Sequence, residues 1–305
     1  ILNGDISLTG LPAIERTFID FKANDFRTNY EDAVTFVPAL RKVKAVDLAR
    51  LRYLRFTGSF TGFVRDFVTY GTLRTDLGTI TSDLNMKLPA GQEPIYSGKI
   101  ATDYFRLGEF LNDPDIGAIA MNDSLAGSGF SEKTRNARIN SRIQFVEYKG
   151  YRYHDLDVRG RLNKKLFDGF AAASDPQVNF AMKGLVDFNN DVPVFNFIAD
   201  VKKANLRKLN LTREDISFSG KLNLDFTGSN IDNFLGKANI QDPTLTHRGN
   251  PLPFDSLMIS SVYANGVKRL TVQSNEFEGN VTGNFAIRDL PNAFTLFLNK
   301  YYPAY

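Results

Sequence analysis

The chain has 305 residues, with 37 Lys and Arg against 34 Asp and Glu, and the two signs alternate along it. That distribution argues against a nucleic-acid partner, which would call for a basic stripe. The absence of cysteine removes disulfides and thiolate metal sites, and no run of about 18 apolar residues is present to cross a membrane as a helix.

The chain opens at Ile1 in strand-like sequence with no signal peptide, and reads as a piece of a longer protein whose anchor lies elsewhere. Residues 1–37 are expected as strands joined at Gly10-Leu11-Pro12, since Gly and Pro punctuate strands and Pro lacks the ladder donor. Val37–Leu54 is less β-like; Asp47 can cap a short helical turn carrying Leu48 and Leu51. Similar insertions recur at Asp103–Leu111, Asn205–Leu211 and Asn230–Leu235. They read either as turns that tuck Leu into the core or as plugs for an open sheet edge.

A meander follows over residues 54–88, with strands at Phe56–Gly62 and Asp66–Arg74 and a turn at Asp76-Leu77-Gly78. Beyond it, Ile80, Ser82, Leu84, Met86 and Leu88 take one phase, opposite Thr79, Thr81, Asp83, Asn85 and Lys87. Period two marks a strand with one oily and one wet face. Residues 89–94 (PAGQEP) form a loop, and Asp113-Pro114-Asp115, Asp175-Pro176-Gln177 and Asp242-Pro243 are expected breaks. Clean alternation returns at Phe180–Phe188, at Ile216–Gly228 (ISFSGKLNLDFTG) and at Phe277–Ile287. Residues 290–305 lose it, and are expected as an irregular aromatic tail or an amphipathic contact.

One unit, aromatic-x-Gly-x-apolar, repeats at Phe56-x-Gly58-x-Phe60, Tyr96-x-Gly98-x-Ile100, Phe218-x-Gly220-x-Leu222 and Phe277-x-Gly279-x-Val281. Weaker copies stand at Val158–Leu162, Phe167–Ala171 and Met182–Val186. Glycine on an oily face serves either sheet curvature or space for an apolar guest. With no linker or low-complexity tract, residues 1–305 read as one continuous array. At about 10–12 residues per strand and turn it would hold roughly 20–25 strands and extend on the order of 100 Å. Its uncovered oily face must close on itself, pair with another sheet, or hold something greasy.

Catalytic chemistry is sparse. His154 and His247, the only histidines, show no metal-ligand spacing and are expected as structural or surface residues. No GxSxG elbow, P-loop or GxGxxG entering a helix occurs; the GxG within Leu125–Phe130 reads as a turn or bulge. Asp76, Asp83, Asp103 and Asp113 fall in turns or on wet faces, and Asn122, Asn210 and Asn280 match only the glycosylation pattern. No enzyme, cofactor or metal is expected.

The Gly10–Pro12 opening resembles the TamB branch of the AsmA-like proteins, particularly forms from Bacteroidetes. So do Phe60–Phe63 followed by Asp66–Gly78, Tyr96–Ile100 with Leu107-Gly108, Tyr148–Tyr153 and Ile231–Asn233. The resemblance spans most of the chain and implies an all-β, elongated, curved, mainly antiparallel β-taco, a folded-over sheet with a hydrophobic groove and short helical insertions. It further implies a periplasm-spanning protein of Gram-negative bacteria, held in the inner membrane by an anchor outside this chain and ending at an Omp85-type outer-membrane barrel. The function it implies is phospholipid transport between the membranes, or translocation and assembly of outer-membrane proteins. Periodicity and resemblance together place acyl chains along Phe56, Phe60, Tyr96, Phe180, Met182, Phe218, Leu222, Leu224, Phe226, Phe277 and Phe285. The alternatives are an assembly scaffold offering a sheet edge to nascent strands, and an extracellular β-solenoid with a carbohydrate-active carboxylate pair.

Overall fold

The computed structural model describes residues 1–36, 48–253 and 255–301. Among them 18 strands form one open, curved sheet in which sequence neighbours pair antiparallel, except that β16 pairs with β14 beyond the short β15. They are β1 (Leu2–Thr9), β2 (Phe18–Thr28), β3 (Leu54–Phe63), β4 (Asp66–Thr75), β5 (Gly78–Lys87) and β6 (Ile95–Arg106). Next come β7 (Ile116–Ser128), β8 (Asn136–Tyr148), β9 (Tyr151–Asn163), β10 (Leu166–Ser174), β11 (Val178–Asp187) and β12 (Val194–Asn205). The remainder are β13 (Ile216–Thr227), β14 (Leu235–His247), β15 (Asn250–Pro253), β16 (Ser256–Ala264), β17 (Val267–Ser274) and β18 (Glu278–Gly283). At about 4.8 Å per strand the sheet runs on the order of 80 Å, fewer strands and a shorter span than the sequence suggested.

Local chemistry sets the turns. Thr75 Oγ1 accepts from the amides of Leu77 (3.0 Å) and Gly78 (3.2 Å), which closes the β4–β5 hairpin. The hairpins at Lys149-Gly150, Arg248-Gly249 and Asn265-Gly266 hold both central residues at positive φ, the backbone that matches strand twist. Asp242-Pro243, expected as a break, is a bulge inside β14: Asp242 takes φ 48°, and the strand changes partner there from β16 to β15. Residues 30–36, expected as strand, form a short helix α1 (Tyr30–Phe36). The insertion predicted over 103–111 is helical only at α2 (Leu107–Leu111), its first residues finishing β6. The closing segment is a helix, α3 (Leu290–Tyr301), rather than an irregular tail. The predicted Asp47 cap lies outside the described residues; the turn it would start is present at Leu48–Arg50.

The surface is large for the mass. The chain exposes 19369 Å², against about 12,900 Å² for a compact monomer of 34.2 kDa. Buried apolar residues gather in two clusters at the same end of the strands. One joins Leu51, Leu77, Phe105 and Ile119, with Leu107 and Phe110 of α2 packed on it. The other joins Ala173, Val178, Ala204 and Leu209, the last from the turn after β12. The insertions thus tuck Leu and Phe into the sheet ends and leave most of the apolar face without a second layer.

Asp175, 5% exposed, anchors the second cluster. It accepts from the Tyr151 hydroxyl (2.6 Å) and from the amides of Gln177 (2.7 Å) and His154 (3.1 Å). Burial raises its carboxyl, but these bonds outweigh burial and hold it below the usual range; burial, then Asp175, pushes the Tyr151 phenol up, so it remains a donor. A depressed carboxyl contributes stability that is full above the unfolded value, about 3.9, and is lost as pH falls through the folded one. Asp175→Asn should therefore cost about 1–3 kcal/mol at neutral pH and flatten the acid limb of a stability-against-pH curve. Unchanged acid sensitivity in urea titrations would remove Asp175 from that role.

Candidate functional site

The strand register shows which residues share a face, because directly paired residues project to the same side. Starting from Phe60, partners can be followed to both edges. One row runs Ile6, Phe21, Phe60, Thr69, Leu84, Gly98, Leu125, Ile139, Gly160, Gly169, Gly184, Phe197, Leu224, Ala238, Ile259, Val272 and Gly279. A second row beside it passes through Leu8, Ile19, Gly62, Phe67, Met86, Tyr96, Gly127, Ala137, Leu162, Phe167, Val186, Phe195, Phe226, Gly236, Ser261, Leu270 and Val281. Neither row contains a charged side chain. Each spans every strand of the sheet except the short β15.

Nine of the eleven predicted lining residues sit on this face and are half-buried: Phe56, Phe60, Tyr96, Phe180, Met182, Phe218, Leu222, Leu224 and Phe226. Phe180 belongs to the second cluster, at the covered end. Phe277 and Phe285 fall outside β18; Phe277 is 54% exposed, and the Phe285 ring lies under Lys268 Nζ at 5.6 Å. Aromatic rings line the end away from the clusters. Phe60 stacks on Phe67 at 4.6 Å, Tyr96 on Phe130 at 5.2 Å and Phe195 on Phe226 at 4.7 Å, with Phe234 beside Phe226 at 4.9 Å.

A third row, one step toward the clusters, carries the interruption that alternation did not reveal. Asp123 pairs with Ile100 on the oily face, yet is 6% exposed. Its carboxylate accepts from Ser141 Oγ and from the Arg142 amide, both at 2.5 Å, so it takes a ladder position between β7 and β8. At the end of the same strand pair, Glu147 accepts from the Ala118 amide (2.9 Å) and from Arg152 (2.6 Å). The Ala118 bond, then Arg152, lowers its carboxyl.

Glycines stand opposite one another on the oily face, as in Gly58–Gly71 and the triplet Gly160–Gly169–Gly184. A Cβ on Gly58, at φ 150°, would lie 2.5 Å from the Gly71 Cα, so backbone fills the space a side chain would take. Close strand approach, rather than room for a guest, is what Gly58 provides.

The wet-phase residues of β6 to β10 line a strongly basic concavity of about 1070 Å³; a second, of about 470 Å³ over β10 to β14, is lined from both phases, with Met182 and Leu222 beside Lys183 and Asn223. Both histidines are at the surface: His247 Nε2 is 3.4 Å from Glu214, and His154 projects on the wet face opposite Phe145. Among the described residues, no group of three or more His, Asp or Glu is gathered to hold a metal ion, and no helix is long and apolar enough to cross a membrane. Comparison with known proteins gave no match to a family model, a curated protein or a solved structure.

Proposed function

We propose that the oily face is a carrier surface for lipid acyl chains. The observation that carries this is the pair of uncharged rows that cross the sheet from β1 to β18. An acyl chain gains about 0.8 kcal/mol per buried CH₂. A path of uniform apolar character lets it shift from strand to strand with little change in energy. Transport of this kind needs no catalytic group; the chain acts as a conduit. Together with the resemblance to TamB, this points to movement of phospholipid across the periplasm, with an anchor in the inner membrane and an Omp85-type barrel at the outer one. Mass spectrometry of organic extracts from the gently purified chain tests it. Co-purifying phospholipid is expected; a lipid-free chain that still solubilises no acyl probe would contradict it.

One observation favours a second function, an assembly scaffold. Strand β1 is exposed along its length, with Leu2, Ile6 and Leu8 at 55%, 53% and 41%, and could template an incoming strand. A proline placed in β1 would then abolish capture of an unfolded outer-membrane protein, while Leu222→Glu would spare it. The reverse pattern favours the conduit.

A further inference from the structure

The basic concavity on the wet face has a defined construction. Register brings Lys99 of β6, Arg138 and Arg142 of β8, and Arg159 and Arg161 of β9 around a floor of Ser124 and Asn140. Arg138 and Arg161 are directly opposite each other. Like charges in that position are only about 4.5–5.5 Å apart at Cβ and destabilise a bare sheet. Arg159 is bonded to Asp157 and lies 5.9 Å over the Phe170 ring. No ion pair joins Lys99, Arg138, Arg142 or Arg161 to another described residue.

The next partners outward are Asp83 beside Lys99, Asp157 beside Arg142, Asp168 beside Arg161 and Phe170 beside Arg159. Asp123 projects to the opposite face and spends its carboxylate on Ser141 and the Arg142 amide. Acidic or apolar positions therefore bound the ring, and the basic surface does not extend into a stripe for a nucleic acid or a flat field for a bilayer. The ring spans three strand steps, about 14 Å. Arginine forks around small amide and hydroxyl groups match an anion with several phosphate-type oxygens.

We propose that this concavity is a binding site for a small soluble polyanion of the polyphosphate class, separate from the oily face. A lipid seated on that face has the sheet between its headgroup and these arginines. An anion seated between Arg138 and Arg161 offsets their mutual repulsion, which makes the ligand part of local stability.

Titration calorimetry and thermal melts with sodium tripolyphosphate test this at about 0.15 M ionic strength, where isolated surface pairs are largely screened. Saturable binding and a rise in melting temperature are expected. Arg138→Gln and Arg161→Gln should each weaken binding roughly tenfold, without lowering the melting temperature of the free protein. Lys237→Gln, on the wet face of β14, should change neither. Absent or non-saturable binding overturns the proposal, as does equal binding by the Arg138→Gln and wild-type chains. Capture of phosphatidylglycerol vesicles through these arginines, without tripolyphosphate binding, overturns it in favour of a membrane contact.

Discussion

Gly58→Val should lower the stability of β3 and β4 by about 3–5 kcal/mol, combining overpacking with strain at a φ that side chains rarely adopt. The atoms in the way are backbone: the Tyr70 carbonyl and, at 2.5 Å, the Gly71 Cα. Neither can rotate aside, so relief requires β3 and β4 to separate and forfeit ladder bonds. Loss of amide protection in hydrogen exchange should centre on these two strands and spread to β5, whose Ile80 and Ser82 pair with Leu73 and Gly71. Gly279 offers the control. It occupies the same motif position in β18, but a Cβ there meets nothing within 4 Å. Gly279→Val should change the unfolding free energy from urea titration by under about 1 kcal/mol. Equal tolerance at both sites would mean that Gly58 is not a close-approach position.

The second large effect concerns the oily face. Leu222 lies between Ala199 and Ile240 and beside the two uncharged rows. A glutamate there remains hydrated while the face is empty, because the position is half-buried and opens to solvent. Seated acyl chains would desolvate it, at a cost of several kcal/mol. Displacing only three methylenes forfeits about 2.4 kcal/mol, a factor of about fifty in affinity. Leu222→Glu should thus retain the wild-type circular dichroism and carry less than a tenth of the phospholipid. Phe226→Asp should behave alike, with the added loss of the Phe195 and Phe234 ring contacts. Asn223→Glu, one residue away on the wet face, should leave the lipid content unchanged.

The alternation was legible because one face of each strand is solvated. In β5 half-buried and exposed residues alternate without a fault. Bulges break that reading. Between Ala23 and Phe26, and again between Thr102 and Phe105, extra residues on one strand flip the phase, so Phe26 and Phe105 rejoin the oily face out of step. Sequence also could not place Gly160, Gly169 and Gly184 side by side, since that depends on the length of two hairpins. Asp123 illustrates a different limit: its phase put a carboxylate on the oily face, and its satisfaction comes from β8, residues away in sequence. Likewise the ring of Lys99, Arg138, Arg142, Arg159 and Arg161 was hidden by the local alternation of charge. It exists only after four strands, β6 to β9, are aligned.

A lipid conduit requires acyl chains to occupy the oily face and not the wet one. A photoreactive phenylalanine analogue placed in turn at Leu222, Asn223, Leu224 and Asp225, followed by irradiation in cells and mass spectrometry of the purified chain, reads this residue by residue. Lipid adducts at 222 and 224 with none at 223 and 225 are predicted. Adducts at all four positions, or at none while an unfolded protein is captured through β1, would contradict a lipid-carrying face.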